Sequence, residues 1–392
     1  MYRTILAGVA AAALLSAPAL AADKIRIGFI TTLTTGAAII GEDQRKAVDL
    51  AVEHLGGKMG PLAVEIVYED DEFNPQAGKQ KTEKLVKQDN VDVVAGYIWS
   101  HVLLASAPVV FDADKILISA NAGPSPLAGK ACNANFFSVS WQNDQTPMAL
   151  GEVLNQRGVK SLYVIAPNYA AGKDMVAGVE RTFKGEIVGK DMTTWPTQQD
   201  WAAEFTKVKA AKPDAVFTFY PGGHGPAFIK QYEQAGLSST PLYSVYTVDA
   251  LSLPRFQQAG MKNVVGTTMT QMWSPDIDNA ANKKFVGDFK AKHGEYPSFY
   301  AAQAYDAIML INSAVKATGG KLDTAGLRKA MEKADFTSVR GNFRFGNNHF
   351  PIQDFFSREV AADADGKWTT KITGVALKDH QDPYAQECKM KM

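Results

Sequence analysis

Ser100 and the run Asn121-Ala122-Gly123 are the residues best suited to a chemical task, and that task is holding a small anion. The apolar run Val91-Asp92-Val93-Val94-Ala95-Gly96 breaks into Tyr97-Ile98-Trp99-Ser100, with a helical pattern from His101. In the same way Lys115-Ile116-Leu117-Ile118-Ser119 breaks into Ala120-Asn121-Ala122-Gly123-Pro124. Each reads as a strand stopping at a small, polar corner. In parallel sheets such corners gather at the C-terminal strand edge, where helix N-termini offer free N–H groups and partial positive charge. Ser100 at a helix start can share a carboxylate between its hydroxyl and the neighbouring N–H groups. The plainer roles open to the same residues are an N-cap for Ser100 and a turn former for Asn121.

Catalytic signals are poor. The chain has no His-Glu-x-x-His, Gly-x-Ser-x-Gly or Cys-x-x-Cys. Gly123 to Lys130 has the wrong spacing for a phosphate loop, and Pro124 and Pro126 remove backbone donors. Gly222-Gly223-His224-Gly225 misses the dinucleotide fingerprint. His54, His101, His224, His293, His349 and His380 show no metal spacing, so neither cofactor nor metal is expected. The cluster Glu69-Asp70-Asp71-Glu72 precedes an Asn-Pro helix start; it reads as a solvated corner, with a hydrolase pair at Asp70 and Asp71 as the rival.

These corners need a scaffold of alternating strands and helices, and the chain supplies it twice, the signature of α/β folds with parallel sheets. Strand-like runs fall at 25–30, 62–68, 91–96 and 115–119, with helices from about Glu42, Pro75 and Ser100 between them. Past Trp141 the rhythm restarts with strands at 161–166, 186–191, 214–220, 241–246 and 264–269. Helices at about 279–293, 299–317 and 324–333 are surplus to this second unit and are expected to return to the first. Extended stretches at 339–345, 355–361 and 368–377 complete the chain. The expected division is therefore lobe 1 at 24–140 and 272–345, and lobe 2 at 141–271 and 346–392, with three crossings between lobes. A chain of 392 residues exceeds one ordinary core, which agrees with two.

Residues 1–21 read as a secretory signal: Met1-Tyr2-Arg3, an apolar stretch from Ile5 to Leu15, and Ala19-Leu20-Ala21 as the cleavage site. A periplasmic location follows as the expectation, and it suits a single Cys132–Cys388 disulfide, with two free thiols as the alternative. The 41 basic and 41 acidic residues balance, which argues against nucleic acid or an anionic membrane as partner. Selectivity should then sit in a pocket.

Gly28-Phe29-Ile30 leading to Thr35-Gly36, the acidic corner Asp70 to Pro75, Gly96 to Ser100, Ser119 to Gly123 and Pro297-Ser298-Phe299-Tyr300 together resemble the periplasmic Leu/Ile/Val-binding protein family. These are extracytoplasmic receptors of ABC importers. The resemblance implies a type I periplasmic binding protein: two Rossmann-like lobes joined by three crossover strands, near 138–143, 268–273 and 345–350, closing on a ligand. It implies an ABC permease as partner, a monomeric receptor and no enzymatic activity. It also places the ligand carboxylate on Ser100 and on Asn121, Ala122 and Gly123.

Two departures bear on the ligand. Tyr246 falls nearest the position where relatives that hold amino acids carry an acidic residue, and Ile40 replaces a tyrosine on the opening turn. Burying an ammonium without a paired charge costs several kcal/mol, so a free amino acid is disfavoured unless Asp249 reaches in. The remaining cleft candidates are Tyr97, Trp99, Trp141, Tyr169, Tyr220, Tyr246, Trp273, Phe299 and Tyr300, with His101 and His224 as polar ends; core packing is the alternative for each aromatic. Ser119 to Pro124 with Asn168-Tyr169-Ala170-Ala171-Gly172 is similar to the branch that binds aromatic carboxylates. The expected ligand is thus a benzoate or hydroxycinnamate type of acid, with a branched-chain amino acid, amide or urea-like ligand, or a sensory role, as alternatives.

Overall fold

Buried β-branched runs dominate both halves of the chain, and they assemble into two sheets of mainly parallel strands in the computed structural model, which describes residues 23–390. The expected signal segment lies outside the described residues. The first sheet contains β1 (Lys24–Thr31), β2 (Lys58–Met59), β3 (Leu62–Asp70), β4 (Val93–Gly96), β5 (Ile116–Ser119) and β6 (Phe136–Ser138), in the order β2-β3-β1-β4-β5-β6. Ile25, Ile27, Phe29, Val93, Val94, Leu117 and Ile118 are all sealed from solvent. Parallel strands covered by helices on both faces need such runs.

The second sheet contains β7 (Ser161–Pro167), β8 (Glu186–Thr193), β9 (Ala215–Thr218), β10 (Leu242–Ser244), β11 (Thr268–Gln271), β12 (Arg344–Phe345), β13 (Pro351–Ala362) and β14 (Trp368–His380). Its order is β12-β13-β11-β10-β9-β7-β8, with β14 antiparallel to β13. The chain leaves the first sheet after Ser138. It returns after Gln271 as the helices Ala280–His293 and Phe299–Ala317, which lie against the Ala38–His54 helix: Ser298 bonds Asp43, and Tyr305 Oη lies 2.9 Å from His54 Nδ1. It passes back before β12, since Arg344 and Phe345 already pair with Ile352 and Pro351 of β13 at the edge of the second sheet.

The strand expected at 264–269 is a 3₁₀ turn at Lys262–Val264 followed by β11 from Thr268. β2, β6 and the short helices Ser125–Ala128 and Leu253–Gln258 are additions to the sequence reading. Two further differences lie near the crossings. The span 339–345 was expected to be extended, yet only Arg344–Phe345 forms a strand. Gly341 has φ +87, and the buried Arg340 guanidinium turns inward to Val139 O (2.5 Å), Ser140 O (3.0 Å), Gln353 Oε1 (2.9 Å) and Asp306 Oδ2 (3.0 Å). Those carbonyls and acceptors take the place of a strand ladder. The helix Gln145–Gln156 was not anticipated, because Pro147 and Gly151 obscure its period; Pro147 is tolerated in the first turn, whose N–H groups have no intrahelical partner.

Cys132 and Cys388 form a disulfide across 256 positions, fastening the C-terminal tail beside the first crossing.

Candidate functional site

The two corners meet because β4 and β5 are neighbours in register, Gly96 opposite Ser119. Gly96 has φ +112, and a side chain there would fall 2.1 Å from Ile30 O, so the turn requires glycine. Ala120 N–H then donates to Gly96 O (2.8 Å) and Ala122 N–H to Tyr97 O (3.0 Å). The chain reverses into the Ser100–Asp112 helix, leaving Ser100 at the first helical position, 1 % exposed.

Between these corners and the second sheet lies a tight cavity with about 20 Å³ of room, enough for little more than one water, so a ligand enters only as the walls part. Ser100, Asn121, Ala122 and Asn143 give its polar end. Trp99, Trp141, Tyr169, Phe219, Tyr246 and Tyr300 are its aromatic walls, and both sheets contribute to them. Trp141 and Tyr246 stack, with centroids 4.9 Å apart and planes 21° from parallel. Tyr246 Oη lies 2.5 Å from Thr146 Oγ1, while Trp99 Nε1 donates to Thr32 Oγ1 (2.8 Å), which in turn donates to Asp71 Oδ1 (2.6 Å). Fixed hydrogen bonds at the rims of the rings hold these aromatic walls in place around the cavity.

The structure separates the sequence candidates into three groups. Ser100, Asn121, Ala122, Trp99, Tyr169 and Tyr246 line the cavity. The side chain of Asn121 is committed elsewhere, donating to Ile98 O (2.6 Å) and accepting from Gln303 (2.8 Å), so it shapes the corner and leaves only its backbone to face a ligand. His101 and His224 stand at the mouth with Phe73 and Trp195. Burial lowers the His101 pKa to about 4 and also lowers that of His224, so both are neutral near pH 7.

Tyr97, Tyr220, Gly123, Phe299 and Asp249 are not among the lining residues. Tyr97 Oη meets Thr82 (2.7 Å) and Tyr220 Oη meets Thr193 (2.6 Å). Gly123 donates its N–H to Asn143 Oδ1 (3.2 Å). Phe299 supports the wall from behind, 5.1 Å from Tyr246. Asp249 Oδ1 accepts from the N–H groups of Leu251 and Ser252, both at 3.0 Å, and burial raises its pKa to about 6. Trp273, also considered for the cleft, donates to Asn282 (2.8 Å) in lobe packing.

The sequence reading missed Asn143, Phe219, Phe73 and Trp195. Asn143 sits in the first crossing with no motif around it. Phe219 was passed over for its neighbour Tyr220, although side chains alternate along an extended chain and only one of the two can face the cleft.

The acidic corner holds loops together. Asp70 accepts from Leu33 N–H (2.9 Å), Thr34 Oγ1 (2.6 Å) and Glu72 N–H (2.9 Å), and Asp71 accepts from Thr32 and from Phe73 N–H (2.9 Å). Among the described residues no group of three or more His, Cys, Asp or Glu side chains could hold a metal. No acidic side chain lines the cavity.

The comparisons with known proteins agree with this geometry. The periplasmic binding protein family matches residues 24–367. The chain is 27% identical over 365 residues to Leu/Ile/Val-binding protein homolog 6 of Brucella abortus (strain 2308), covering 91% of this chain and 93% of that one. It is similar to an ABC transporter solute-binding protein from R. palustris in complex with benzoate, with TM-score 0.87, 30% identity, and coverage of 94% and 100% of the two chains. A solute-binding protein of Rhodopseudomonas palustris BisB5, in complex with 3,4-dihydroxybenzoic acid, gives TM-score 0.86, 28% identity, and coverage of 92% and 99%. Family and structural neighbours alike are solute-binding proteins and not enzymes. With its two mainly parallel sheets and the cavity between them, the chain belongs to the periplasmic binding protein family.

Proposed function

We propose that this protein captures an aromatic carboxylate of the benzoate or hydroxycinnamate type and delivers it to the permease of an ABC importer. The observation that carries the reading is the lining of the cavity: six aromatic rings, helix starts at Ser100, at Tyr169 to Ala171 and at Tyr300, and no acidic side chain to neutralise an ammonium. The ring of the ligand lies between the aromatic walls. Its carboxylate meets the Ser100 hydroxyl and the free N–H groups of the first turn, where the helix dipole favours negative charge. The likeness to proteins solved with benzoate and 3,4-dihydroxybenzoic acid supports the same ligand class.

In this reading lobe 1 comprises 24–140 and 272–345, and lobe 2 comprises 141–271 and 346–392. A ligand touching both binds the closed state better and shifts the population toward it. The receptor works as a monomer in the periplasm, after removal of residues 1–21. Calorimetry with benzoate, 4-hydroxybenzoate, p-coumarate and leucine tests the ligand class. Binding of at least one aromatic acid, recovered chemically intact, with leucine silent is expected; tight leucine binding and no response to the acids would reject the reading.

A further inference from the structure

We infer that Asn143 is a positioning residue that biases the Ser100 hydroxyl toward donating to the ligand carboxylate. The inference rests on the aromatic-acid reading above and names the group that enforces it.

The orientation of the Asn143 amide is fixed by its surroundings. Its Oδ1 accepts from Gly123 N–H (3.2 Å) and from Trp141 Nε1–H (3.3 Å). Its Nδ2 donates to Ser100 Oγ (3.1 Å) and to Asp174 Oδ2 (2.9 Å). Rotating the amide by half a turn would set its NH2 against two donors and its oxygen against a carboxylate. Three of these neighbours, the Gly123 and Trp141 donors and the Asp174 carboxylate, therefore select one orientation, an assignment that distances alone do not make for an amide.

A serine hydroxyl has one proton and two lone pairs. Asn143 engages a lone pair of Ser100, so the proton is left to find an acceptor elsewhere. Ser100 is 1 % exposed and lines the cavity, so that acceptor is a ligand atom. Without Asn143 the hydroxyl could also present a lone pair to the cavity and accept from a ligand amine or amide. The locked amide occupies one of the two lone pairs and so biases the hydroxyl toward donating, which favours a carboxylate over its neutral carboxamide, since hydrogen bonds to an ionised acceptor are the stronger kind.

The lock spans the cleft. Gly123 and Trp141 belong to the corner and crossing of the first sheet, whereas Asp174 lies on the Ala170–Thr182 helix of the second. Asp174 reaches over to accept from Ser125 N–H (3.0 Å) and Ser125 Oγ (2.8 Å) as well as from Asn143. Closure thus completes the donor arrangement at the same time as it covers the ligand.

The test measures benzoate and benzamide affinities for wild type, Asn143→Ala, Ser100→Ala and the double variant, with circular dichroism to verify folding. Expected for Asn143→Ala is a loss of about thirtyfold for benzoate and under threefold for benzamide. In the Ser100→Ala background the second change should cost benzoate less than threefold, because the two residues act through one hydroxyl. Equal losses for both ligands, or losses that multiply in the double variant, would reduce Asn143 to a packing role and overturn the inference while leaving the aromatic-acid reading intact. Should Asn143→Ala not fold, Asn143→Asp combined with Asp174→Asn keeps acceptors for Gly123 and Trp141 without setting two carboxylates 2.9 Å apart. It would draw the Ser100 proton to itself and should invert the preference to benzamide; an unchanged preference overturns the inference. A wild-type protein indifferent to benzoate and to the other aromatic acids would remove both the reading and this inference.

Discussion

Phe73 and Trp195 meet edge to face, with centroids 5.6 Å apart, and they come from opposite sides of the cleft. Trp195 also stacks on Tyr169 (5.4 Å) and lies 6.2 Å from Trp99, so a bridge of rings covers the mouth. Aromatic pairs contribute roughly 0.5–1.5 kcal/mol each beyond burial. Trp195→Ala should therefore weaken every ligand by about tenfold, mainly through faster release, since closed states are held rather than found faster. Trp195 does not line the cavity, so ratios between ligands should stay constant. Stopped-flow measurement of dissociation decides; a change confined to the association rate would contradict the bridge.

Ser100 places a short aliphatic hydroxyl at the first position of a helix within the cavity. A hydrogen bond to a charged group contributes about 1.5–3 kcal/mol, so Ser100→Ala should weaken binding of the acid by roughly tenfold to a hundredfold. Melting without ligand should fall by only a few degrees, from the Asn143 donor that loses its acceptor. Calorimetry alongside thermal melts separates the two effects, and unaltered affinity would remove Ser100 from the site.

Asp43 gives a pH signature. Burial, only partly offset by bonds from Ser298, raises its carboxyl to about 7. A folded-state value above the unfolded one means that its contribution to stability is fully present below about 4 and is lost as pH rises through 7. Asp43→Asn keeps an acceptor for Ser298 and removes the charge. It should melt a few degrees above wild type at pH 8 and at nearly the same temperature at pH 4. Differential scanning calorimetry at both pH values checks this, and a variant less stable at pH 8 would show that the charge is tolerated.

The Cys132–Cys388 bond closes a loop of 256 positions; chain entropy sets an upper figure of about 5.5 kcal/mol, and loss of a native disulfide commonly costs about 2–5 kcal/mol. Reduction, or Cys388→Ser with Cys132→Ser, should lower the melting temperature by several degrees. Neither cysteine lines the cavity, so ligand affinity at 25 °C should change by less than about twofold. Melting and calorimetry on oxidised and reduced protein provide the comparison.

The backbone of the site was legible because strand ends and helix starts are local events. Gly96 to Ser100 and Ser119 to Gly123 carry their turns in their own residue types, and the parallel neighbours β4 and β5 then bring them together. Side-chain direction was less legible. Tyr97 and Tyr220 sit beside strand ends, yet φ +64 at Tyr97 sends its ring to Thr82, and strand alternation gives the cleft to Phe219 in place of Tyr220. Asn143 and Trp195 were invisible because each works through partners tens of positions away: Ser100 and Asp174 for one, Phe73 and Trp99 for the other.

The Arg340 guanidinium bonds the carbonyls of Val139 and Ser140 in one connecting segment, Gln353 beyond another, and Asp306 in the helix behind them. One buried cation thereby rivets the bases of two tethers to the same body, and with Asp306 fully buried beside it the joint has no slack. A swing between the halves that keeps these bonds takes its axis beyond Ser140 on the first tether. Trp141 and Asn143 lie just past that fixed point, so a small rotation there re-aims the residues that meet the ligand, and the pivot and the recognition surface become parts of one short stretch of chain.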